Sequence, residues 1–172
     1  DMAQRWFPGV HSNVGGGYRH DGLANGAMRW LVAGAADEGL DLNEAFLHNY
    51  RPYPQDKLYD SYSLGMAVLD TVRFRRGDGV RALSGRPASA NLSVDRSAMV
   101  RLLSDPKAED KSGKPRFPRM DGKAYRPGNL LEFLACSPEA AEQVKRGGDD
   151  MQRLTADPKL SGVLTDLGHS CP

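Results

Sequence analysis

The order of apolar and polar positions along the chain predicts one short strand followed by helices. An apolar and aromatic run over Arg5–Val10 predicts a buried strand that ends at a Pro-Gly turn. Apolar residues three or four positions apart predict a helix from Leu23 to Gly39, with the glycine at its C-terminal cap. Asp41 then predicts the N-cap of a second helix, from Leu42 to Tyr50.

The rest of the chain alternates polar loops with short amphipathic segments. The pattern predicts a hairpin at Val72–Leu83, a helix at Ser93–Leu103 opened by its serine, an exposed polar loop at Ser104–Lys123, and helices at Asn129–Ala135 and Pro138–Lys145. Because only one strand precedes these elements, the pattern predicts that no parallel sheet can be completed within this chain.

Composition is that of an ordinary soluble globular protein, and it excludes a membrane-spanning chain. Of 172 residues 40% are hydrophobic, the formal net charge is +1, and no apolar run reaches the roughly 18–20 residues of a transmembrane helix. Two cysteines, Cys136 and Cys171, give neither a disulfide framework nor zinc spacing. We expect no metal, no cofactor and no nucleic-acid partner.

The small net charge conceals a basic middle region. Residues 73–126 hold 14 Lys and Arg against 6 Asp and Glu, whereas the remainder is acidic. A basic surface of this kind suits anionic lipid headgroups or an acidic partner protein. The alternative is a solvated face with no dedicated partner.

The most informative segment places His11 just after the predicted strand, in a loop that continues into Gly15–Gly17. The carboxyl edge of a sheet is where α/β folds assemble their active sites, and histidine is the usual general base near neutral pH. A glycine loop that cradles phosphate is a second interpretation, although the lysine of a P-loop is missing. A tight turn with an incidental histidine is the third.

A resemblance favours the first interpretation. Residues 6–18 read WFPGVHSNVGGGY, and they precede an amphipathic helix with an internal Arg29-Trp30 pair and a closing Gly39-Leu40 pair. This stretch resembles a family of uncharacterised α/β-hydrolase domains that includes the type VI secretion lipase effectors of the first class, which are antibacterial phospholipases. Weaker similarities follow at residues 59–62 and 125–130, and the firm resemblance covers about residues 4–62.

The resemblance implies a Ser-Asp-His triad that cleaves phospholipid acyl esters, with His11 as the catalytic histidine. The chain contains no Gly-x-Ser-x-Gly elbow, and Ser12 is a poor nucleophile because it adjoins the histidine. We therefore expect the serine and the acid upstream of Asp1.

Several residues are expected to support His11 without reacting. The family usually has aspartate where this chain has Asn13, and we interpret that position as serving loop geometry. Gly15, Gly16 and Gly17 are expected to shape the same loop, and Asp60 is a candidate for an indirect role. Among the other histidines, His20 is closest in sequence and His48 and His169 have no metal-ligand spacing.

Together these inferences predict an α/β fold class: the C-terminal portion of an α/β-hydrolase fold, with its last core strand and helix, over residues 1–72. A mainly helical, basic accessory or membrane-proximal region is predicted over residues 73–172. The predicted function is part of a phospholipase A type toxin effector, inactive alone, secreted by a bacterium and acting at the membrane or periplasm of a target cell. The alternative is a non-catalytic module that binds an immunity protein, a delivery adaptor or the upstream half of the same protein.

Overall fold

The structure, a computed structural model, describes residues 3–60, 92–136, 140, 157–160 and 162. The predicted hairpin at 72–83 lies outside the described residues, as does the predicted helix at 138–145 apart from residue 140. The side chains of Cys136 and Cys171 also lie outside them.

Within the described residues the elements follow one another as strand, helices, strand, helices. Strand β1 spans Gln4–Trp6, and it is followed by helices α1 (His11–Gly15), α2 (Gly22–Asp37) and α3 (Glu44–Leu47). Strand β2 (Leu92–Val94) leads into helix α4 (Arg96–Leu103), a 3₁₀-helix (Pro118–Met120) and helix α5 (Gly128–Cys136). The predicted helix at 129–135 is confirmed by α5.

The two strands form a parallel pair, which corrects the expectation that the chain completes no parallel sheet. Gln4 lies opposite Leu92 and Trp6 opposite Val94. The predicted N-cap Ser93 is wrong, because Ser93 is the middle residue of β2 and α4 is capped by Asp95, which accepts a hydrogen bond from the Ser97 N–H at 2.8 Å. Because the helix begins two residues later than predicted, residues 92–94 can extend and pair.

Helix α2 is the element that its sequence predicts best. It ends in a Schellman motif: Gly39 has φ +92°, and the N–H groups of Gly39 and Leu40 donate to the carbonyls of Ala36 (2.9 Å) and Ala35 (3.0 Å). The predicted C-terminal glycine is thus confirmed. The apolar stripe of α2 is buried in the first half of the helix but not beyond it, where Leu31 is 63% exposed.

Helix α3 is shorter than predicted and begins later. Its N-cap is Asn43, whose side chain accepts a hydrogen bond from the Phe46 N–H at 3.0 Å, so the predicted cap Asp41 is wrong. Glu44 is the first helical residue, where its negative charge complements the N-terminal dipole.

A core of buried apolar residues lies around β2, α4 and α5. Its fully buried members include Val94, Met99, Leu102, Leu131 and Phe133, and Ala140 and Leu160 join them. Trp6 of β1 packs against this cluster. The strand pair and this packing therefore join the two predicted regions, 1–72 and 73–172. The position of the boundary at residue 72 stays a prediction, and so does the α/β-hydrolase fold.

The predicted polar loop at 104–123 is confirmed as mostly exposed, with one inserted element. The 3₁₀-helix interrupts the loop and buries Met120, which is 3% exposed. Asp121 closes that helix in the left-handed region with φ +51°.

Candidate functional site

His11 is the first residue of the short helix α1. The prediction that His11 lies in a loop is therefore wrong. Val10 is extended at the N-cap, and its carbonyl accepts hydrogen bonds from the N–H groups of Asn13 (2.9 Å) and Val14 (3.2 Å). These two bonds close the helical turn. His11 itself is exposed, so its imidazole is open to a reacting partner. We call residues 8–17 the His11 turn.

Asn13 joins the His11 turn to a distant part of the chain. Its side chain is 3% exposed, and its Nδ2 donates to the Tyr59 carbonyl at 2.7 Å while its Oδ1 accepts from the Tyr59 N–H at 3.1 Å. One amide thus satisfies both backbone groups of Tyr59, which a carboxylate cannot do because it has no donor. This pairing supports the interpretation that Asn13 serves loop geometry.

Gly9 makes room for that contact. It has φ +110°, and a Cβ built on it would lie 2.5 Å from the Cβ of Asn13. Any larger residue would be strained by its backbone conformation and would displace Asn13. The sequence indicates Gly9 only as part of a Pro-Gly turn. Its role in making room for Asn13 is visible only from the short distance between the two residues.

The three glycines end the turn in different ways. Gly15 is the last residue of α1, whereas Gly16 and Gly17 have φ +90° and +105°. A Cβ on Gly17 would meet nothing within 4 Å. The requirement for glycine at 16 and 17 is therefore conformational, and Gly15 has an ordinary backbone.

An aromatic stack forms beside the turn. The rings of Tyr18 and Tyr59 are 4.2 Å apart and nearly parallel, and His20 lies 6.3 Å from Tyr59 on a similar plane. The ammonium of Lys57 lies 5.5 Å from the Tyr59 ring centroid. Tyr59 is therefore next to both His20, through its ring, and Asn13, through its backbone.

The remaining predicted residues do not complete a triad around His11. Among the described residues, no hydrogen bond joins its side chain to a carboxylate or a hydroxyl. Ser12 follows it on α1, where successive side chains diverge by about 100°. Asp60 is exposed, next to Tyr59.

Segment 53–60 is the element that sequence analysis missed, and it ties the His11 turn to two further helices. Its residue Asp56 is 1% exposed, and Oδ2 accepts from the Gly22 N–H at 2.8 Å, at the start of α2. Oδ1 accepts from the Lys57 N–H at 2.8 Å and pairs with Arg119 at 3.0 Å. Only the aspartate's neighbours in space reveal this role, since nothing in the local sequence marks it.

Arg101 of α4 holds the other side of segment 53–60. It is 3% exposed, and its Nη1 donates to the carbonyl oxygens of Pro54, at 2.8 Å, and Asp56. Segment 53–60 is thereby fixed to α1, α2 and α4 at once, so the position of the His11 turn depends on contacts with several helices.

Across the described ranges, no group of three or more His, Cys, Asp or Glu side chains is arranged to hold a metal ion. No helix in the same ranges is both long and apolar enough to cross a membrane.

The N-terminal part of the chain is similar to a known protein family. Residues 1–34, which include β1, α1 and most of α2, match the family model described as T6SS, Phospholipase effector Tle1-like, catalytic domain. This match supports the resemblance to type VI secretion phospholipase effectors, a family of secreted bacterial effectors, over that short span.

A second match is to a eukaryotic protein. A stretch of 55 residues is 36% identical to the uncharacterized protein YEL023C of Saccharomyces cerevisiae, and it covers 29% of this chain and 8% of that protein. No solved structure matches the chain.

Proposed function

We propose that this chain contributes the catalytic histidine, His11, to a phospholipase A type esterase. The family match over residues 1–34 supports a type VI secretion phospholipase effector, and that span contains the histidine. The observation that carries the assignment to this residue is its geometry: an exposed imidazole at the start of α1, in the turn that follows the end of β1 at Trp6 and that Asn13 anchors.

In the proposed reaction His11 accepts the proton of a serine hydroxyl as that oxygen attacks an acyl ester, and then returns it to the leaving alcohol. A carboxylate fixes the imidazole's orientation. In α/β-hydrolases the triad follows the chain order Ser, Asp or Glu, His, so we assign the serine and the acid to parts of such a fold upstream of this chain. The proposed site of action is the membrane or periplasm of a target cell.

The test is the His11→Ala variant of the full-length protein, assayed by release of fatty acid from phospholipid vesicles. Loss of a triad histidine lowers the rate by about three orders of magnitude or more. Since His11 is exposed, the variant should unfold at the wild-type temperature.

His48→Ala is the matched control, because His48 is exposed at the end of α3 and its side chain makes no hydrogen bond or ion pair among the described residues. We expect this variant to keep wild-type activity. Near wild-type hydrolysis by His11→Ala would refute the assignment, and an equal loss in both variants would show that the effect is not specific to His11.

A second proposal, a non-catalytic interaction module, rests on exposed apolar residues of α2, of α3 and of the connection between them. Leu31, Leu40 and Phe46 are 63%, 58% and 56% exposed, so this stretch of the chain presents three large apolar side chains that a partner can cover. We propose that the upstream half of the same protein covers them, with an immunity protein or a delivery adaptor as the alternatives. Full activity of His11→Ala would leave this as the better-supported function.

A further inference from the structure

A cavity of about 300 Å³ lies between α4 and the polar segment that follows it. Four of its lining residues are cationic, namely Arg101, Arg119, Lys123 and Arg126, and a single lining residue, Asp121, is acidic. Its volume is at the lower end of the range for small-molecule sites. The lining therefore concentrates positive charge around a space that is large enough for a small anion. We call this space the arginine cavity.

The buried member of the lining carries a charge that the protein compensates incompletely. Arg101 is 3% exposed, and its Nε has no hydrogen-bond partner among the described residues. Its Nη1 is satisfied by carbonyl oxygens, which are neutral acceptors. Burial lowers the pKa of this guanidinium, although the nearby Asp56 opposes the shift. An unpaired buried donor on a charged group is costly, and an anion beside it would reduce that cost.

The carboxylates near the cavity are already engaged. Asp56 pairs with Arg119 at 3.0 Å, and Asp121 lies 3.5 Å from the ammonium of Lys57, which is outside the lining. No ion pair involving Lys123 occurs among the described residues. Asp56 offsets the charge of Arg119, and the lining keeps a net positive charge because Arg101, Lys123 and Arg126 outnumber its one carboxylate, Asp121.

Arg126 is held in place by the backbone. Its Nη1 donates to the carbonyls of Leu102 at 2.8 Å and Tyr125 at 2.9 Å. Fixing one end of a guanidinium lowers the entropy cost of presenting its other donors, and a planar fork of donors suits the oxygens of a phosphate group. The cavity therefore has a preorganised cation at its rim and a buried one in its wall.

We propose that the arginine cavity binds a phosphate-type oxyanion, contacted by Arg101, Lys123 and Arg126. The ligand chemistry is a phosphate monoester or diester, whose source is either a phospholipid headgroup or a soluble phosphate compound. This site lies beyond the proposed hydrolase function, because anion binding requires neither His11 nor ester cleavage.

The test compares inorganic phosphate with chloride at equal ionic strength, using calorimetric titration of the full-length protein. The cavity variant is Lys123→Gln/Arg126→Gln, since both side chains are exposed and their removal leaves the buried Arg101 contacts in place. The control variant, Lys111→Gln/Arg116→Gln, removes the same charge from exposed residues of the neighbouring loop that do not line the cavity.

We expect phosphate to bind the wild type and the control variant, and its affinity for the cavity variant to fall by about tenfold or more. Binding that is no stronger for phosphate than for chloride, or an equal loss in both variants, overturns the proposal. Circular dichroism of each variant checks that the fold is unchanged.

A vesicle arm identifies the source of the phosphate. Phosphatidylcholine vesicles with and without phosphatidylglycerol are sedimented with each variant, in the presence and absence of inorganic phosphate. If only the cavity variant loses binding to the anionic vesicles, and free phosphate competes, the headgroup is the ligand. If vesicle binding is the same in both variants while phosphate affinity differs, the ligand is soluble.

Discussion

Replacing Asn13 with aspartate exchanges the buried amide nitrogen for an oxygen. The contact with the Tyr59 carbonyl then changes from an attractive hydrogen bond to a repulsion between two oxygens. In the wild type Nδ2 donates to the Tyr59 carbonyl at 2.7 Å, and Oδ1 accepts from the Tyr59 N–H at 3.1 Å. An ionised carboxylate keeps the second hydrogen bond but places a negative oxygen against the carbonyl oxygen. The substitution therefore tests whether the amide itself fastens the His11 turn to segment 53–60.

The magnitude follows from the two hydrogen bonds. Each contributes about 0.5–1.5 kcal/mol net, so Asn13→Ala should lower the free energy of unfolding by about 1–3 kcal/mol. For a protein of this size that corresponds to a fall in Tm of about 2–12 °C. Asn13→Asp should cost more than Asn13→Ala at neutral pH, because it adds repulsion to the loss of one bond.

The aspartate variant should also recover at low pH. A protonated carboxyl can donate to the Tyr59 carbonyl, so folding raises the pKa of the introduced group above its unfolded value of about 3.9. The loss of stability caused by the ionised aspartate is then absent below that unfolded pKa and develops fully as the pH rises through the folded pKa. The alanine variant has no such titration, so the difference between the two variants should narrow on acidification.

The assay is urea unfolding followed by the fluorescence of Trp6 and Trp30, which are the two tryptophans of the chain. Asn49→Ala and Asn49→Asp are the controls, because Asn49 is exposed and its side chain makes no hydrogen bond among the described residues. They should lie within about 0.5 kcal/mol of the wild type. Wild-type stability of Asn13→Asp at neutral pH would refute the reasoning.

Further predictions concern the start of α2 and the alkaline limit of stability. Gly22→Ala should destabilise the protein by about 1–3 kcal/mol, because its Cβ would lie 2.6 Å from Oδ2 of Asp56 and 2.7 Å from the Cβ of Tyr53. Gly26→Ala, in open space on the same helix, should stabilise it by about 0.4–1 kcal/mol, and thermal unfolding of the pair measures both; equal effects would contradict the packing argument. Burial raises the pKa of Tyr125 to about 12, so the phenol stays neutral in the folded state while the unfolded phenol ionises near pH 10. Stability should therefore fall as the pH rises from about 10 to 12, and Tyr125→Phe should lose less over that range in urea titrations.

The sequence predicts best those elements whose signals lie within a few residues. Helix α2 and its terminal Gly39 follow from apolar spacing and from a backbone conformation that glycine tolerates. Helix α5 is predicted within one residue at each end. The strand that precedes His11 is also a local signal, although it ends at Trp6 and not at the predicted Val10, and His11 itself begins a short helix.

The features that were missed depend on partners far along the chain. Strand β2 is only three residues long and pairs with β1 across 88 residues, as the Arg5–Ser93 side-chain contact also shows. Asn13 reaches Tyr59 across 46 residues, and Asp56 reaches Arg119 across 63. Spacing and propensity describe a neighbourhood of a few residues, so they carry no record of these contacts.

The sequence by itself thus determined the helical register of α2, the polar character of the loop at 104–123, and the candidate histidine with its glycines. Only the tertiary structure decided that segment 53–60 fastens α1, α2 and α4 together, and that Arg101, Lys123 and Arg126 line one cavity. The physical reason is that a buried hydrogen bond or a shared cavity exists only when folding brings distant groups within a few ångströms of each other. Local preferences select each element, and long-range packing selects which side chains meet.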